Sequence, residues 1–287
     1  MKSRDFSYTR PGSLQQALQA LASHGAAAQV LAGGQSLVPA LNLRLAAPEV
    51  LVDLQDCAEL RGIAVSGKSL RIGALTTHAQ IQSSPEVARH VPLLAQAVPY
   101  VAHVAIRNRG TIGGSLSLAD PAAEYPAVAL ATGATIIVQG QARERRIAAA
   151  DFFKGLYTTD LQPGEILTAV EFPIASPDDR AGFYELARRR GDYAMVGLAA
   201  HLVVTQGRVS AAHLAYFAVA DRPILAKTAG AKLMGQPLGD PSALTAATQA
   251  LAADLDPMPD LQAASQTKSY LAGVVLKRVI QQLGATS

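Results

Sequence analysis

The sequence contains one cysteine, Cys57, among its 287 residues. A disulfide within the chain needs two cysteines, and an iron–sulfur cluster held by cysteines needs four, so both are excluded. The six histidines show no H-x-x-x-H or similar ligand spacing, which argues against a structural or catalytic zinc site. Any redox chemistry of this chain must therefore depend on an organic cofactor, and no metal site is predicted.

Long apolar runs and long basic runs are also missing. No stretch of about eighteen apolar residues could span a bilayer, and the N-terminal segment MKSRDFSYTR has no continuous apolar run. We therefore expect no transmembrane segment and, by default, a cytoplasmic protein. Charged residues make up 16% of the chain and the formal net charge is only +3, so nucleic-acid binding is not expected.

Hydrophobic residues make up 49% of the sequence, which is enough for one large domain or two to three small ones. The order of predicted strands and helices favours an α+β fold in three parts. The parts are an N-terminal α/β subdomain at 1–57, a second α+β subdomain at 58–176 and a C-terminal domain at 177–287. In the C-terminal domain we predict three consecutive strands at 183–186, 197–205 and 209–219, then helices at 224–234, 241–253 and 265–283.

Two local patterns give further expectations. Ser13 followed by Gln16 is typical of a capping box at the start of the first helix. Phe152, Phe153 and Tyr157 are interpreted as aromatic anchors of the core rather than as ligand contacts. The densest basic cluster, the arginines at 188–190, is typical of a solvated or partner-facing surface, with an anionic ligand as the alternative.

Two glycine pairs separated by 80 positions, Gly33-Gly34 and Gly113-Gly114, are the main functional signal. Paired glycines can adopt positive φ and turn successive N–H groups toward one point, which makes a concave site for phosphate oxygens. A tight hairpin turn is the alternative for either pair alone. Neither pair belongs to a GxxxxGK[ST] or a G-x-G-x-x-G motif, so a P-loop and a Rossmann fold are both disfavoured.

The sequence around these glycines resembles a known family. The motifs A-G-G-Q-S at 32–36 and T-I-G-G-S at 111–115, the latter followed by A-D-P-A-A-E, resemble the FAD-binding medium subunit of molybdenum hydroxylases. Further similarity covers I-R-N-R-G at 106–110, P-G-E-I-L at 163–167 and R-R-G-D-Y at 189–193. That family includes the flavoprotein subunits of carbon monoxide dehydrogenase, xanthine dehydrogenase and bacterial N-heterocycle dehydrogenases.

The resemblance spans nearly the whole chain and implies a fold and a cofactor. The fold would be a two-part FAD-binding domain of the vanillyl-alcohol-oxidase or PCMH type, followed by an α+β C-terminal domain with a three-stranded antiparallel sheet and helices. The cofactor would be non-covalent FAD, because the glycine segments offer no histidine or cysteine for attachment. The implied FAD-binding residues are Ala32, Gly33, Gly34, Gln35, Ser36, Leu37, Thr111, Ile112, Gly113, Gly114, Ser115, Asp120, Glu124, Leu167 and Tyr193.

The resemblance also implies individual roles. Main-chain N–H groups at 33–36 and 112–115, with hydroxyls of the same segments, would hold the diphosphate. Glu124 stands where relatives commonly carry an aspartate that contacts sugar hydroxyls, and Leu167 matches a contact at the adenine end. Tyr193 would lie against the flavin ring, with a core tyrosine in a strand as the alternative. Asp120 could instead cap the following helix.

The implied function is that of an enzyme subunit that transfers electrons, without a catalytic acid or base of its own. FAD would accept electrons from [2Fe-2S] clusters of a small subunit and pass them to an external acceptor. A large subunit would carry the molybdenum-pterin cofactor, in a heterohexamer with two copies of each chain. Glu185 departs from the pattern, since many relatives have lysine near this point. The alternatives are a self-sufficient PCMH-type flavin oxidase and a non-enzymatic anion-binding scaffold.

Overall fold

The computed structural model describes residues 2–285 of the chain. Its N-terminal part is a three-stranded parallel sheet in the order β1-β3-β2, with a helix that buries Ala17, Leu18 and Leu21. The elements are β1 (Ser7–Thr9), α1 (Leu14–His24), β2 (Ala28–Leu31), α2 (Leu37–Asn42) and β3 (Val50–Asp53).

The start of α1 only partly follows the predicted capping box. The Ser13 hydroxyl accepts a hydrogen bond from the Gln16 N–H, as predicted. The Gln16 side chain, however, accepts from the N–H of Gly12 and not from that of Ser13. The second hydrogen bond of the capping box is therefore made by Gly12, one residue before the N-cap.

The middle part is built around an antiparallel five-stranded sheet in the order β4-β5-β10-β6-β7. Short helices connect its strands and pack on it. The elements are β4 (Ile63–Ser66), β5 (Ser69–Gly73), α3 (His78–Ser83), α4 (Pro85–His90), α5 (Pro92–Ala97), α6 (Val104–Arg107), α7 (Ile112–Leu118), α8 (Glu124–Thr132), β6 (Thr135–Gln139), β7 (Glu144–Ala148), α9 (Ala149–Phe152), β8 (Phe153–Gly155), β9 (Thr158–Thr159) and β10 (Ile166–Pro173).

The C-terminal part has four antiparallel strands, not the three predicted. Residues 224–225 were predicted to begin a helix, but they pair with Ala215 and Tyr216, and the Ala226 N–H extends this pairing to the Leu214 carbonyl. The helix therefore begins only at Lys227. The elements are β11 (Asp179–Leu186), β12 (Val196–Thr205), β13 (Arg208–Phe217), β14 (Ile224–Leu225), α10 (Lys227–Leu233), α11 (Pro241–Asp254) and α12 (Ser265–Ala285).

Helix α8 lies at the centre of the molecule. All of its residues from Tyr125 to Ala131 are buried, because it packs between the middle part and strands β12 and β13. A helix that is apolar all round is typical of such a position. The first residue of α8, Glu124, consequently lies where the middle and C-terminal parts meet.

The three larger sheets occupy residues 7–53, 63–173 and 179–225, and β8 and β9 form a separate two-stranded sheet. Packing crosses these limits, since Ile166 belongs to the core of the N-terminal part and Phe183 to that of the middle part. The domain boundaries near 57 and 176 stay a prediction. Within residues 2–285, no helix is long and apolar enough to cross a membrane.

Candidate functional site

The first glycine pair lies at the carboxyl end of β2. Gly34 has φ +74°, a conformation that side chains with a Cβ rarely adopt. Gly33 is needed for a different reason: a Cβ on it would lie 2.2 Å from the main-chain oxygen of Arg109. Two glutamine side chains fix the segment, because Gln35 donates to the Gly33 carbonyl and Gln55 donates to the Ala32 carbonyl.

The turn after Gly34 leaves hydrogen-bond donors unused. Within residues 2–285, the main-chain N–H groups of Gln35 and Ser36 donate to no protein acceptor. The Ser36 side chain caps no N–H of α2 either, although Ser36 precedes that helix. Adjacent N–H groups and a hydroxyl on one turn can together bind the oxygens of an anion.

The second glycine pair lies in a helix and not in the predicted loop. Thr111 is the N-cap of α7, and neither Gly113 nor Gly114 has positive φ. The N–H groups at 112–115 all have protein acceptors: the carbonyls of Thr76, Ala74 and Thr111, and the Thr111 hydroxyl. The expectation that these four N–H groups are free for a diphosphate is therefore wrong for this geometry. The Ser115 hydroxyl remains available as a donor in this segment.

The glycines of α7 serve close packing. A Cβ on Gly113 would lie 2.5 Å from the Cβ of Ala74, so only glycine lets α7 approach the end of β5. The segment before α7 contacts the first pair through Arg109, and the Cβ position of Gly114 lies 3.8 Å from Ala32. The two glycine segments thus meet in space, although 80 positions separate them.

His78 supports the second segment from behind. Its N–H donates to the Gly110 carbonyl over 3.0 Å, and its ring meets that of Tyr125 edge-on at 5.1 Å between centroids. Burial and the positive charge of Arg107 lower the pKa of His78 to about 4. The imidazole is therefore neutral at physiological pH and acts here as a packing group. Nothing in the sequence around His78 predicted this role.

Asp120 forms a turn between α7 and α8. Its Oδ1 accepts from the Ala122 N–H over 2.9 Å, whereas the N-cap of α8 is Ala123 without a side-chain cap. The alternative that Asp120 caps this helix is therefore wrong. Burial raises the pKa of Asp120, while the Ala122 N–H and the nearby Tyr157 hydroxyl lower this pKa in part.

Tyr157 is an aromatic residue that sequence reasoning placed wrongly. Phe152 and Phe153 are buried as predicted, but Tyr157 is 56% exposed and has φ +50°. It lies in the tight turn between β8 and β9. Its contact with Asp120 makes it part of the same surface as that carboxylate.

Tyr193 lies in the segment between β11 and β12 and is 64% exposed. The alternative of a core tyrosine in a strand is therefore excluded. Partial burial raises the pKa of Tyr193, and the charges of Asp120 and Glu124 raise it further, so its ring lies near both carboxylates. Gln262 donates to its carbonyl and ties the segment to the C-terminal part. An exposed aromatic ring can stack on a planar ligand.

Leu167, unlike these exposed groups, is buried. Its side chain is only 4% exposed and packs in the core of the middle part, while its main chain pairs with Val138. The backbone register shifts between Leu167 and Ala169. Little of Leu167 is therefore accessible to a ligand.

Comparison with known proteins identifies the chain. Residues 4–175 match the family model described as the FAD binding domain in molybdopterin dehydrogenase. The chain belongs to this family. Residues 181–283 match a second model, the CO dehydrogenase flavoprotein C-terminal domain. The expected fold, an FAD-binding domain followed by an α+β C-terminal domain, is confirmed, with the fourth strand as the correction.

Several relatives cover almost the full length. The carbon monoxide dehydrogenase medium chain of Afipia carboxidovorans is 35% identical over 280 residues, which are 98% of this chain and 97% of the relative. The 6-hydroxypseudooxynicotine dehydrogenase complex subunit alpha of Paenarthrobacter nicotinovorans is 36% identical over 281 residues, 98% of this chain and 95% of the relative.

Solved structures of similar proteins have the same fold. A carbon monoxide dehydrogenase from Hydrogenophaga pseudoflava superposes with a TM-score of 0.96 at 35% identity, covering 99% of each chain. Quinoline 2-oxidoreductase from Pseudomonas putida 86 gives 0.94 at 41% identity, covering 100% of this chain and 99% of that one. The chain is therefore an FAD-binding subunit of the molybdenum hydroxylase family of oxidoreductases.

The residues of the site fit FAD. The cofactor carries a diphosphate, sugar hydroxyls and a flat isoalloxazine ring. The unused N–H groups of Gln35 and Ser36 suit diphosphate oxygens, the carboxylates of Asp120 and Glu124 suit hydroxyl groups, and the exposed ring of Tyr193 suits the flat surface. Two of these groups, Gln35 and Glu124, come from different parts of the fold, so the site forms only in the folded chain.

Tyr193→Ala is expected to keep FAD bound while changing the environment of its ring. Removal of one stacking face costs about 0.5–1.5 kcal/mol, which is less than the diphosphate contacts supply. We expect higher solvent exposure of the flavin and a shifted reduction potential, measured by fluorescence quenching and by redox titration. Tyr270→Ala, at an exposed tyrosine on α12, is the control. Unchanged fluorescence and potential in Tyr193→Ala would contradict the stacking role.

Proposed function

We propose that this chain is the electron-transfer subunit of a heteromeric molybdenum hydroxylase. It binds FAD non-covalently, takes electrons from [2Fe-2S] clusters of a small subunit and passes them to an external acceptor. The observation that carries the proposal is the meeting of the two glycine segments beside the exposed ring of Tyr193 and two carboxylates. The named relatives are subunits of multi-subunit dehydrogenases, which supports a partner-dependent role.

Each part of the site has a binding role in this proposal. Residues 32–37 and 111–115 hold the diphosphate, through the free N–H groups at 35 and 36 and through hydroxyl groups. Asp120 and Glu124 accept hydrogen bonds from sugar hydroxyls, and the Leu167 main chain contacts the adenine end. Tyr193 covers one face of the ring and excludes water from it. When bound, the flavin supplies one-electron and two-electron transfer, and the chain itself needs no catalytic acid or base.

The chain also fits non-covalent attachment. Cys57 is fully buried, and burial together with nearby carboxylates raises the pKa of its thiol to about 11. A thiol that stays protonated at physiological pH is a poor nucleophile. The glycine segments themselves contain no histidine or cysteine.

The remaining cofactors of the complex belong to partners in this proposal. One cysteine does not hold a cluster, and residues 2–285 contain no group of three or more metal-binding side chains. The small subunit would carry the [2Fe-2S] clusters and the large subunit the molybdenum-pterin cofactor, in a heterohexamer. The exposed arginines at 188–190, which precede Tyr193, are the candidate rim for docking the small subunit, because arginine is favoured at interfaces.

Purification separates this function from the alternatives. We expect one FAD per chain, released into the supernatant by acid precipitation, and reduction of the flavin by the organic substrate only when the partner subunits are present. Dithionite reduction of the isolated chain is the control that the flavin is competent. Flavin retained in the acid pellet would contradict non-covalent binding. Substrate-dependent reduction in the isolated chain would favour a self-sufficient oxidase, and a chain without affinity for FAD would favour a scaffold.

A further inference from the structure

Lys268 is a lysine whose ammonium group is buried. It lies near the start of α12, and its side chain is only 4% exposed. Its Nζ atom donates two hydrogen bonds of 2.7 Å, one to the Ala218 carbonyl and one to Oδ2 of Asp260. Buried ammonium groups are rare unless they are paired, so the position depends on these two acceptors. Lys268 therefore fixes two separate segments of the chain to α12.

The first of these segments is the turn before α12. Oδ1 of Asp260 accepts from the main-chain N–H groups of Gln262 and Ala263, over 2.8 and 2.9 Å. The Asp260 N–H donates to the Ala263 carbonyl. Bonds from an aspartate to the N–H groups that follow it are typical of a tight turn. One oxygen of the Asp260 carboxylate thus shapes the turn, and Lys268 holds the other.

This turn contacts the segment that carries Tyr193. The side-chain amide of Gln262 donates to the Tyr193 carbonyl over 3.3 Å. Within residues 2–285, this is the sole hydrogen bond that Tyr193 makes. Its neighbours are fixed in other ways, because Ala194 is buried and the Met195 N–H donates to the Leu186 carbonyl. Gln262 is therefore the group that holds the main chain at Tyr193 itself.

The second segment that Lys268 holds is the end of β13. Ala218 has φ +62°, a conformation that alanine rarely adopts, and hydrogen bonds at both of its main-chain polar groups hold it there. Its carbonyl accepts from Lys268, and its N–H donates to the Pro121 carbonyl over 2.8 Å. Pro121 follows Asp120 in the turn before α8. Hydrogen bonds thus connect the Lys268 ammonium to the Asp120 turn as well as to the Tyr193 segment.

We propose that Lys268, Asp260 and Gln262 are positioning residues for the tyrosine that covers the flavin ring. Lys268 holds Asp260, Asp260 shapes the turn, and Gln262 of that turn fixes the main chain of Tyr193. A main chain that is already fixed lowers the entropy that the exposed ring loses on stacking. The inference rests on the proposed function for the flavin that Tyr193 covers. None of the three residues contacts the flavin in this role, and each acts through Tyr193.

Hydrogen exchange of the chain without FAD tests the anchoring. Gln262→Ala should speed exchange of the Asp192 and Met195 amides roughly fivefold, the factor expected for the loss of one hydrogen bond. The Ala263 amide should exchange as in the wild type, because only the last bond of the series is lost. Lys268→Met should speed exchange both at Ala263 and in the Tyr193 segment, because the turn loses its hold on α12.

Controls separate the anchoring from a general loss of stability. Gln266→Ala and Lys277→Met make the same changes at exposed positions of α12 and should leave both segments as in the wild type. Gln262→Glu keeps the size of the side chain but removes the donor, so it should behave as Gln262→Ala. Gln262 is half-buried, so its variants leave the core intact and decide the last link even if Lys268→Met does not fold. Unchanged exchange at 192–195 in both Gln262 variants overturns the inference, whether or not the chain binds FAD.

The chain with FAD tests whether the anchoring acts through Tyr193. Gln262→Ala should raise the quenching of flavin fluorescence by iodide in the same direction as Tyr193→Ala, and to a smaller extent. In a Tyr193→Ala background, Gln262→Ala should have no further effect, because the ring that it positions is gone. An effect there as large as in the wild type overturns the positioning role. A chain that binds no FAD contradicts the proposed function instead, and the exchange result then decides on the anchoring.

Discussion

Gly34→Val is expected to yield a folded chain that retains no FAD. Gly34 has φ +74°, and a Cβ on it would lie 3.2 Å from Val38 and 3.4 Å from Leu31. Valine strongly disfavours this backbone conformation, so the turn must change its course. The N–H groups of Gln35 and Ser36 then no longer point to one place.

The expected loss follows from these two donors. A hydrogen bond to a charged group is worth about 1.5–3 kcal/mol, so the loss of two weakens FAD binding roughly 100-fold or more. The measurement is the flavin absorbance per chain after gel filtration, together with the melting temperature.

Gly207→Val is a matched control for this variant. Gly207 has the same φ of +74°, but it lies in the hairpin between β12 and β13, and a Cβ there would meet nothing within 4 Å. Both variants should lose about 1–2 kcal/mol of stability from the left-handed conformation. Only Gly34→Val should lose the cofactor. If the two variants keep or lose FAD to the same degree, the loss reflects general destabilisation and not the geometry of the turn.

Much of the fold was readable from local patterns. The strands predicted at 197–205 and 209–219 correspond to β12 and β13, with limits that differ by one or two residues. Pro241 and its N-cap Asp240 begin α11 where the sequence predicted a helix. In these places, the local preference and the tertiary packing agree.

Helix α7 shows why the second glycine segment was misread. Two adjacent glycines disfavour a helix by roughly 1 kcal/mol each relative to alanine, so a loop was the natural prediction. Close packing of Gly113 on Ala74 and the cap from Thr111 outweigh that cost. A Cβ on Gly114 would lie 3.0 Å from the Thr111 hydroxyl, so this glycine also protects the cap. Contacts with Ala74, 39 positions upstream, leave no trace in the local pattern.

For the site, too, the sequence predicted some residues correctly and missed others. The family motifs indicated the glycine segments and the tyrosine, and the structure brings Tyr193, Asp120 and Glu124 together. The interpretation of Tyr157 as a core residue was wrong because Tyr157 lies close in sequence to Phe152 and Phe153. All three are aromatic, so the sequence did not distinguish the turn residue from the two core residues. The burial of Glu185 depends on the packing of β11 against α5, β12 and α12, so the sequence showed only that this residue departs from the family pattern.

Glu185→Gln is expected to stabilise the protein, by an amount that grows with pH. Burial raises the pKa of Glu185 to about 8 in the folded chain, from about 4.3–4.5 in an unfolded one. Well below this unfolded pKa both states are protonated, and the folded chain has no disadvantage. As the pH rises toward 8, only the unfolded state releases the proton freely, so the wild type loses stability over this window and reaches a plateau above it.

Glutamine isolates this effect because it has nearly the shape of a protonated glutamate and does not titrate. Its buried amide lacks a partner much as the carboxyl does, and that cost is the same at every pH. The free energy of unfolding of the variant, relative to the wild type, should therefore rise by about 2–3 kcal/mol between pH 4.5 and pH 7. For a chain of this size, the corresponding difference in melting temperature is about 3–5 °C.

Thermal unfolding from pH 4.5 to pH 8.5 checks this prediction in the wild type, Glu185→Gln and the exposed control Glu49→Gln. The melting temperatures of the wild type and Glu185→Gln should diverge as the pH rises. Those of the wild type and Glu49→Gln should not, since Glu49 keeps contact with solvent in both states. A constant difference between wild type and Glu185→Gln would mean that Glu185 ionises as easily in the folded chain as in the unfolded one. Its carboxylate would then need a counter-ion or hydrogen-bond donors, and its burial on β11 would have no electrostatic cost.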